Sequence, residues 1–266
     1  MDDILLATND KGLLHEVKQF LSKNFDIKDM GEASYVIGIK IHKNGFRDIL
    51  GLSQETCINK VLEKFRMKNC SPSVSPRVKG DRPNIAFAVG MLGRYQSNPS
   101  LDHWRAAKKV MRYFQGTKDY KLMYRRTSNL EVVGYLNSDF VGCVDSCKST
   151  FGDIFILADG AISWRSVKQT LTATSTMEAE FISCFEATSH GVWIKSFIFG
   201  FRIMDSISRP LSIYCDNSTV VFTAKNNKSG NRSKHIDIKY LAIRECVKEK
   251  KVVIEHINTE LMIDDR

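Results

Sequence analysis

Two acidic residues stand where they could do chemistry. Asp216 closes the run Leu211-Ser212-Ile213-Tyr214-Cys215, in which the alternate residues Leu211, Ile213 and Cys215 face a core if the run is a strand. Ligands of α/β sheets gather in the crevice outside the carboxyl ends of strands, so this position suits a binding or catalytic acid. Glu180 lies in an otherwise apolar stretch between Ala179 and Phe181. Its neighbour Glu178 has a structural explanation, because Ser175-Thr176-Met177-Glu178 has the Ser-x-x-Glu spacing of a capping box. Glu180 has no explanation of that kind. A carboxylate entering a core face needs a charge or metal partner, and spacing alone leaves open which it is.

The elements that must position these acids form an α/β order. Strand patterns run over Val132 to Leu136, Asp153 to Leu157 and, after a turn at Gly160, Ala161 to Trp164. A long helix from about Ser175 to Phe199 follows, then the strand Leu211 to Asp216, a short helix from Ser218, a helix from Ile236 to Lys250 and a strand from Val252 to Ile257. His256 in that last strand and His235 at a helix start are expected to be solvated or structurally bonded imidazoles, not general bases.

The preceding half is organised differently. Ile4 to Ala7 is strand-like, so the chain opens inside a hairpin, and a helix runs from Lys11 to about Phe25 with Leu13, Leu14, Val17, Phe20 and Leu21 on one face. Tyr35 to Ile41 reads as one strand, pairing with Leu50 to Ser53 across Asn44-Gly45. Ser53 is the expected N-cap of the next helix, in which Ile58, Val61, Leu62 and Phe65 recur at helical spacing. The Ser71 to Pro76 stretch and Lys79 to Pro83 lack periodicity and mark a boundary or a join. Beyond it Asp102 is expected to cap a helix with Trp104, Ala107, Val110, Met111 and Phe114 turned inward. Arg105, Lys108, Lys109 and Arg112 point elsewhere, either as a solvated face or as phosphate contacts.

Composition bounds the possibilities. With 266 residues, 43% apolar and 26% charged, the chain has the balance of one large or two ordinary globular domains. A net charge of +9 suits a polyanionic partner. The seven cysteines are scattered without a Cys-x-x-Cys pair, so spacing indicates neither a disulfide framework nor a structural zinc site. A reducing, intracellular setting is expected, cytoplasmic or nuclear. No apolar run approaches the roughly 18 residues of a membrane span, and no membrane partner is expected.

Ordered motifs then carry a resemblance. Gly134 to Gly142, Lys148-Ser149-Thr150, Ile162-Ser163-Trp164, Thr174 to Glu180, Tyr214-Cys215-Asp216-Asn217 and Lys234 to Tyr240 together resemble the ribonuclease H domain of copia-type LTR retrotransposon Pol polyproteins. Asp2-Asp3-Ile4-Leu5-Leu6 resembles the tail of the family's Tyr-x-Asp-Asp polymerase motif, and Tyr35 to Ile39 the strand after it. Arg82 to Ala88, His103-Trp104 and Arg112 to Thr117 resemble the connection region. The likeness implies a ribonuclease H-like mixed sheet flanked by helices over 131–266. A truncated reverse transcriptase remnant (end of palm and thumb) over 1–81 and a connection region over 82–130 would precede it.

It also implies a chemistry. The family copies element RNA into DNA and degrades the RNA of the RNA–DNA hybrid, using carboxylates that hold two magnesium ions for an in-line displacement. The matching positions are Asn137, Glu180, Asp216 and Asp265, so three acids remain, and Mg2+ would rest on Glu180, Asp216 and Asp265. Asp2 and Asp3 match the polymerase aspartates, and Lys108, Lys109 and Arg112 are the expected nucleic-acid contacts. Leu136, Asn137, Asn84, Cys147 and Phe151 stand where the family usually has Ser, Asp, Asp, Arg and Ser. A further family stretch between Asp81 and Arg82 is missing, as are the fingers and most of the palm before Met1, and only Arg266 follows Asp265. The expected outcome is a reverse transcriptase and ribonuclease H fragment that is inactive or nearly so. The alternative is a non-catalytic nucleic-acid-binding or interaction remnant.

Overall fold

The structure, a computed structural model, describes residues 6, 10–73, 85–127, 130–143, 148–200, 209–225 and 234–262. Near the start, Asp10 caps helix α1 (Lys11–Asn24), its Oδ1 accepting from the Gly12 N–H at 2.8 Å and the Leu13 N–H at 3.2 Å. The run expected as one strand over Tyr35 to Ile41 is a tight hairpin instead. Ile37 and Gly38 both take positive φ (50° and 76°), so β1 (Tyr35–Val36) folds back antiparallel on β2 (Ile39–Asn44). β3 (Ile49–Ser53) pairs with β2 as expected. Helix α2 (Glu55–Lys64) takes Gln54 and not Ser53 as its N-cap, although the Ser53 hydroxyl accepts from the Glu55 N–H at 3.3 Å.

Helix α3 (Ile85–Gly93) leads to α4 (Leu101–Thr117), and here Ser100 replaces Asp102 as the cap, in a reciprocal box with His103. Asp102 sits in the first turn and pairs with Arg105 at 3.0 Å. Val110 is buried on α4 as expected, but Trp104 is 50% exposed and carries Lys108 over its ring at 5.3 Å. β4 (Lys121–Arg125) pairs with β3 and completes a four-stranded sheet ordered β1-β2-β3-β4. Stretches on both sides of the expected 81/82 boundary therefore share one sheet.

The second sheet is mixed. Among the described residues it is ordered β7-β6-β5-β8-β9, from β5 (Val133–Cys143), β6 (Lys148–Leu157), β7 (Gly160–Lys168), β8 (Leu211–Cys215) and β9 (Val252–His256). The first three are joined antiparallel, while β5–β8 and β8–β9 are parallel. Parallel neighbours need crossovers. They are supplied by α5 (Thr176–Gly200) between β7 and β8, and by α6 (Ser218–Lys225) with α7 (Lys234–Lys248) between β8 and β9. This is the ribonuclease H-like mixed sheet flanked by helices that the motifs imply. No described helix is long and apolar enough to cross a membrane.

Helix α5 fixes the geometry of the sheet's helical face. Every residue from Ala179 to Cys184 is buried, so this stretch is covered all round. Its outer coat includes Leu171 and Ala173, while Phe181 and Cys184 join Leu136, Phe155, Ile213, Cys215 and Ile254 in the main core. Two glycines set the helix–sheet spacing. A Cβ on Gly191 would lie 2.5 Å from Leu211 Cδ2 and 2.6 Å from Phe155 Cε1, and one on Gly134 would lie 2.6 Å from the same Phe155 atom. The Phe155 ring thus fills the space that side chains at these two positions would take. The two sheets also touch, since the Tyr124 hydroxyl donates to the Ala161 carbonyl at 2.6 Å and the Arg125 N–H to the Ala158 carbonyl at 2.9 Å.

Gly191→Ala is expected to push α5 off the sheet and to lower stability by about 1–3 kcal/mol, the usual cost of overpacking a filled core. Gly45→Ala is the control, because nothing lies within 4 Å of a Cβ built there. Urea unfolding of the three chains checks this, and equal midpoints would show that the close approach at Gly191 is not a constraint.

Candidate metal centre

Glu180 reaches the centre because the start of α5 is pinned at three points. The Ser175 hydroxyl accepts from the Glu178 N–H at 3.2 Å, and the Glu178 carboxylate accepts from the Thr174 backbone N–H and, at 2.6 Å, from the Thr174 hydroxyl. The capping role expected of Glu178 holds, with Thr174 as its partner. Gln169, buried just after β7, donates through Nε2 to the Ala179 carbonyl at 2.7 Å and to the Ser183 hydroxyl at 2.9 Å. Its own N–H donates to the Ser149 carbonyl at 2.9 Å, tying the helix to β6.

Asp216 is held from both sides. Before it, the Cys215 carbonyl accepts from the Ile257 N–H at 3.0 Å, and the Asp216 carbonyl lies 3.0 Å from His256 Nε2, which therefore donates to it. After it, the Asn217 side chain caps α6 by accepting from the Thr219 and Val220 N–H groups at 3.0 and 3.2 Å. His256 is thus a structurally bonded imidazole.

Ligand atoms of Glu180, Cys215 and Asp216 all lie within 4.8 Å of one another. Glu180 is 6% exposed and Cys215 fully buried. Leu136 of β5 is the register partner of Cys215, so the next residues, the buried Asn137 and Asp216, are neighbours across the parallel pair. The sheet order reverses direction between β5 and β8, which is where α/β sheets place ligands. Burial pushes the Cys184 thiol up to about 12 and pushes Cys215 still higher, with the Cys184 sulfur as its next cause. Both are neutral thiols in the chain alone. The centre therefore offers two carboxylates and a protonated sulfur, with Asn137 on the neighbouring strand.

Residues 1–79 match the family described as reverse transcriptase (RNA-dependent DNA polymerase). Over 97% of its length the chain is 34% identical to the Retrovirus-related Pol polyprotein from transposon TNT 1-94 of Nicotiana tabacum, of which it covers 22%. It is 30% identical along 100% of its length to the corresponding polyprotein from transposon RE1 of Arabidopsis thaliana, of which it covers 20%. The chain belongs to the copia-type retrotransposon Pol family. It spans about a fifth of the length of these curated relatives. A foamy viral protease-reverse transcriptase dRH, solved in complex with double-stranded DNA, shares its fold with a TM-score of 0.50 at 13% identity, over 93% of this chain and 43% of that one.

Of the positions matched to the Pol motifs, the fold brings Glu180 and Asp216 together and sets Asn137 beside them. Asp2, Asp3 and Asp265 lie outside the described residues, as does the side chain of His235. Lys108, Lys109 and Arg112 are exposed on α4. Cys215 was not among the residues expected to approach the centre. The sequence reading also missed a second buried acid, Asp153 of β6, which is 0% exposed. Arg165 Nε and Nη2 donate to its Oδ2 at 3.0 and 2.5 Å, and Arg165 Nη2 also donates to the Glu186 carbonyl of α5 at 3.2 Å. His190 Nδ1 lies 3.2 Å from Asp153 Oδ1 and its Nε2 3.2 Å from the Ser163 hydroxyl, which assigns the neutral ring with its proton on Nδ1. The signal was available, because Asp153 interrupts an apolar strand just as Glu180 interrupts an apolar helix.

Arg165→Met leaves the Asp153 charge buried without its guanidinium and is expected to cost about 3 kcal/mol in urea unfolding. His190 gives the pH dependence. Burial, its largest cause, lowers its pKa below the ordinary 6.5, outweighing the opposite pull of Asp153. Between its folded pKa and 6.5 the unfolded chain binds more protons, so stability rises with pH through that window and falls as pH drops below 6.5. His190→Gln should flatten that slope, and an unchanged slope would assign it to other groups.

Proposed function

We propose that the unit from Val133 to Met262 is a ribonuclease H-type site that binds RNA–DNA hybrid and a divalent cation, with hydrolysis of the RNA strand weak or absent. The observation that carries this reading is the meeting of Glu180 and Asp216 at the β5–β8 switch point, with a neutral Asn137 beside Asp216. The donor set fits one hard cation, since two carboxylates at this separation present oxygen ligands of the kind Mg2+ takes. Glu180 and Asp216 would hold it. When bound, such an ion supplies charge stabilisation at the phosphoryl group and a more acidic water.

The chain's own residues do the rest. Gln169 and the Thr174–Glu178 bonds fix the helix carrying Glu180, and His256 with Asn217 fixes the backbone around Asp216. Asn137 contributes an amide where the family's paired-metal chemistry uses a full negative charge, against two dications roughly 4 Å apart. Asp139 lies on the same strand but is displaced along it by roughly 6.6 Å, too far to take over that charge. Lys108, Lys109 and Arg112 on the exposed face of α4, with the half-exposed Trp104, supply cations and a stacking ring to a nucleic-acid backbone.

The test is hybrid cleavage by the natural chain, by Asn137→Asp and by Asn137→Asp with Asp216→Ala, each with and without Mg2+. Hybrid binding by the natural chain should weaken steeply with salt. Cleavage should rise in Asn137→Asp and vanish in the double variant. Without metal, Asn137→Asp should also be less stable at neutral pH by about 1–3 kcal/mol, because it adds a buried charge beside two others. Strong Mg2+-dependent cleavage by the natural chain, abolished by Asp216→Ala, would sink the claim for Asn137.

A further inference from the structure

The donor set at the β5–β8 switch point is not purely hard. β8 ends on a thiol followed at once by a carboxylate, Cys215 and Asp216, and Cys215 sulfur, Glu180 oxygen and Asp216 oxygen mutually lie within 4.8 Å. Helix α5 repeats the pairing, with Glu180 and Cys184 four residues apart, one turn along the same helix face. Both thiols are fully buried, and the Cys184 sulfur and Glu180 both bear electrostatically on Cys215. Two elements thus each bring one carboxylate and one thiol to the same point. Magnesium gains nothing from sulfur, whereas Zn2+ and Cd2+ bind thiolate strongly and accept carboxylate oxygens beside it in sets of three or four donors.

We propose that this centre is a binding site for a single thiophilic divalent cation of the Zn2+/Cd2+ class, held by the Cys215 sulfur with Glu180 and Asp216, in competition with Mg2+ for the same carboxylates. On binding, the metal–sulfur bond forms as the S–H bond breaks, and the proton leaves to bulk solvent; no electrons are transferred. Sulfur atoms in tetrahedral sites lie about 2.3 Å from zinc, so donors spread over 4.8 Å need only a small inward movement of the Glu180 and Cys215 side chains. Asn137 fits this occupant better than an aspartate would. A thiolate and two carboxylates already outweigh one dication in charge, and a neutral amide adds no further excess.

The proposal uses the carboxylates of the nuclease reading but does not depend on cleavage, so its test is spectroscopic. Cd2+ is titrated into the full 266-residue chain, and sulfur-to-cadmium charge-transfer absorbance is followed. The background is a chain in which Cys57, Cys70, Cys143, Cys147 and Cys246 are serines, which leaves only the two central thiols. One equivalent of Cd2+ should develop the band, and Mg2+ in large excess should fail to abolish it. Cys215→Ala in that background should remove the band, and Asp216→Asn should weaken Cd2+ binding while keeping it. Circular dichroism confirms that each variant is folded. Should Cys215→Ala not fold, cadmium NMR of the unaltered pair reads the same point, because mixed sulfur–oxygen ligation and all-oxygen ligation resonate in separate ranges. Absence of the band, its survival in folded Cys215→Ala, an affinity unchanged by Asp216→Asn, or an all-oxygen resonance would each overturn the proposal. Failure of Asn137→Asp to gain hybrid cleavage, with an intact cadmium band, would instead count against the nuclease reading alone.

Discussion

A helix that is apolar on every side is stable only where something covers every side, and α5 meets that condition from Ala179 to Cys184. One side lies on the sheet through Phe155, Leu136 and Cys215, and another beneath Leu171 and Ala173. Coverage of this kind demands a short distance between helix and strands. Gly134 and Gly191 supply it by leaving room for one phenyl ring. The position of Glu180 follows, since a helix seated that closely can carry a carboxylate only into a place that the sheet itself leaves open. That place is the gap at the carboxyl ends of β5 and β8, where the strand order turns back.

Two buried acids then receive different treatment. Asp153, at the middle of β6, has a guanidinium and an imidazole arranged around it from β7 and α5, and the imidazole is held in turn by the Ser163 hydroxyl. A charge of this kind costs several kcal/mol to desolvate, and a two-point guanidinium contact with a further bond to Glu186 offsets much of it. The arrangement joins three elements at one point and is structural in character. Glu180 faces Asp216 and a thiol instead. Like charges brought that close favour either a proton or a cation between them, and the proposed cation would answer that need.

What could be read from the sequence divides along the same physical line. Glu180 and Asp216 were legible because each interrupts a local pattern, an apolar helix in one case and the end of an alternating strand in the other. The order of strands and helices in the second sheet was legible from periodicity, but β5, β6 and β7 extend well past the expected runs, to Cys143, from Lys148 and to Lys168, because their polar halves break the alternation. The Ile37–Gly38 hairpin was not, because an isoleucine at positive φ runs against its intrinsic preference and only the pairing of β1 with β2 imposes it. Trp104 falls on the apolar side of α4 by spacing, yet its ring stays half exposed beneath Lys108. Arg165 and His190 stand 12 and 37 residues from Asp153, so no local spacing could pair them. Cys215 reads as an ordinary inward strand residue, and only the approach of α5 shows that its sulfur borders two carboxylates.

Asn137 shows how stability and chemistry pull apart at such a point. An acid there would be a third carboxylate near Glu180 and Asp216, with no described lysine or arginine pairing to Asp216. Without a cation, mutual repulsion would raise the carboxyl pKa values and weaken the fold above them. An amide keeps the shape of aspartate and its capacity to accept a hydrogen bond while removing the charge. Substitutions that relieve a strained, charge-rich site commonly stabilise a protein at the expense of activity. On the proposed reading Asn137 has that form: the sheet, the helix seating and the pair Glu180 and Asp216 are kept, and the amide lacks the charge that a metal-loaded site would use.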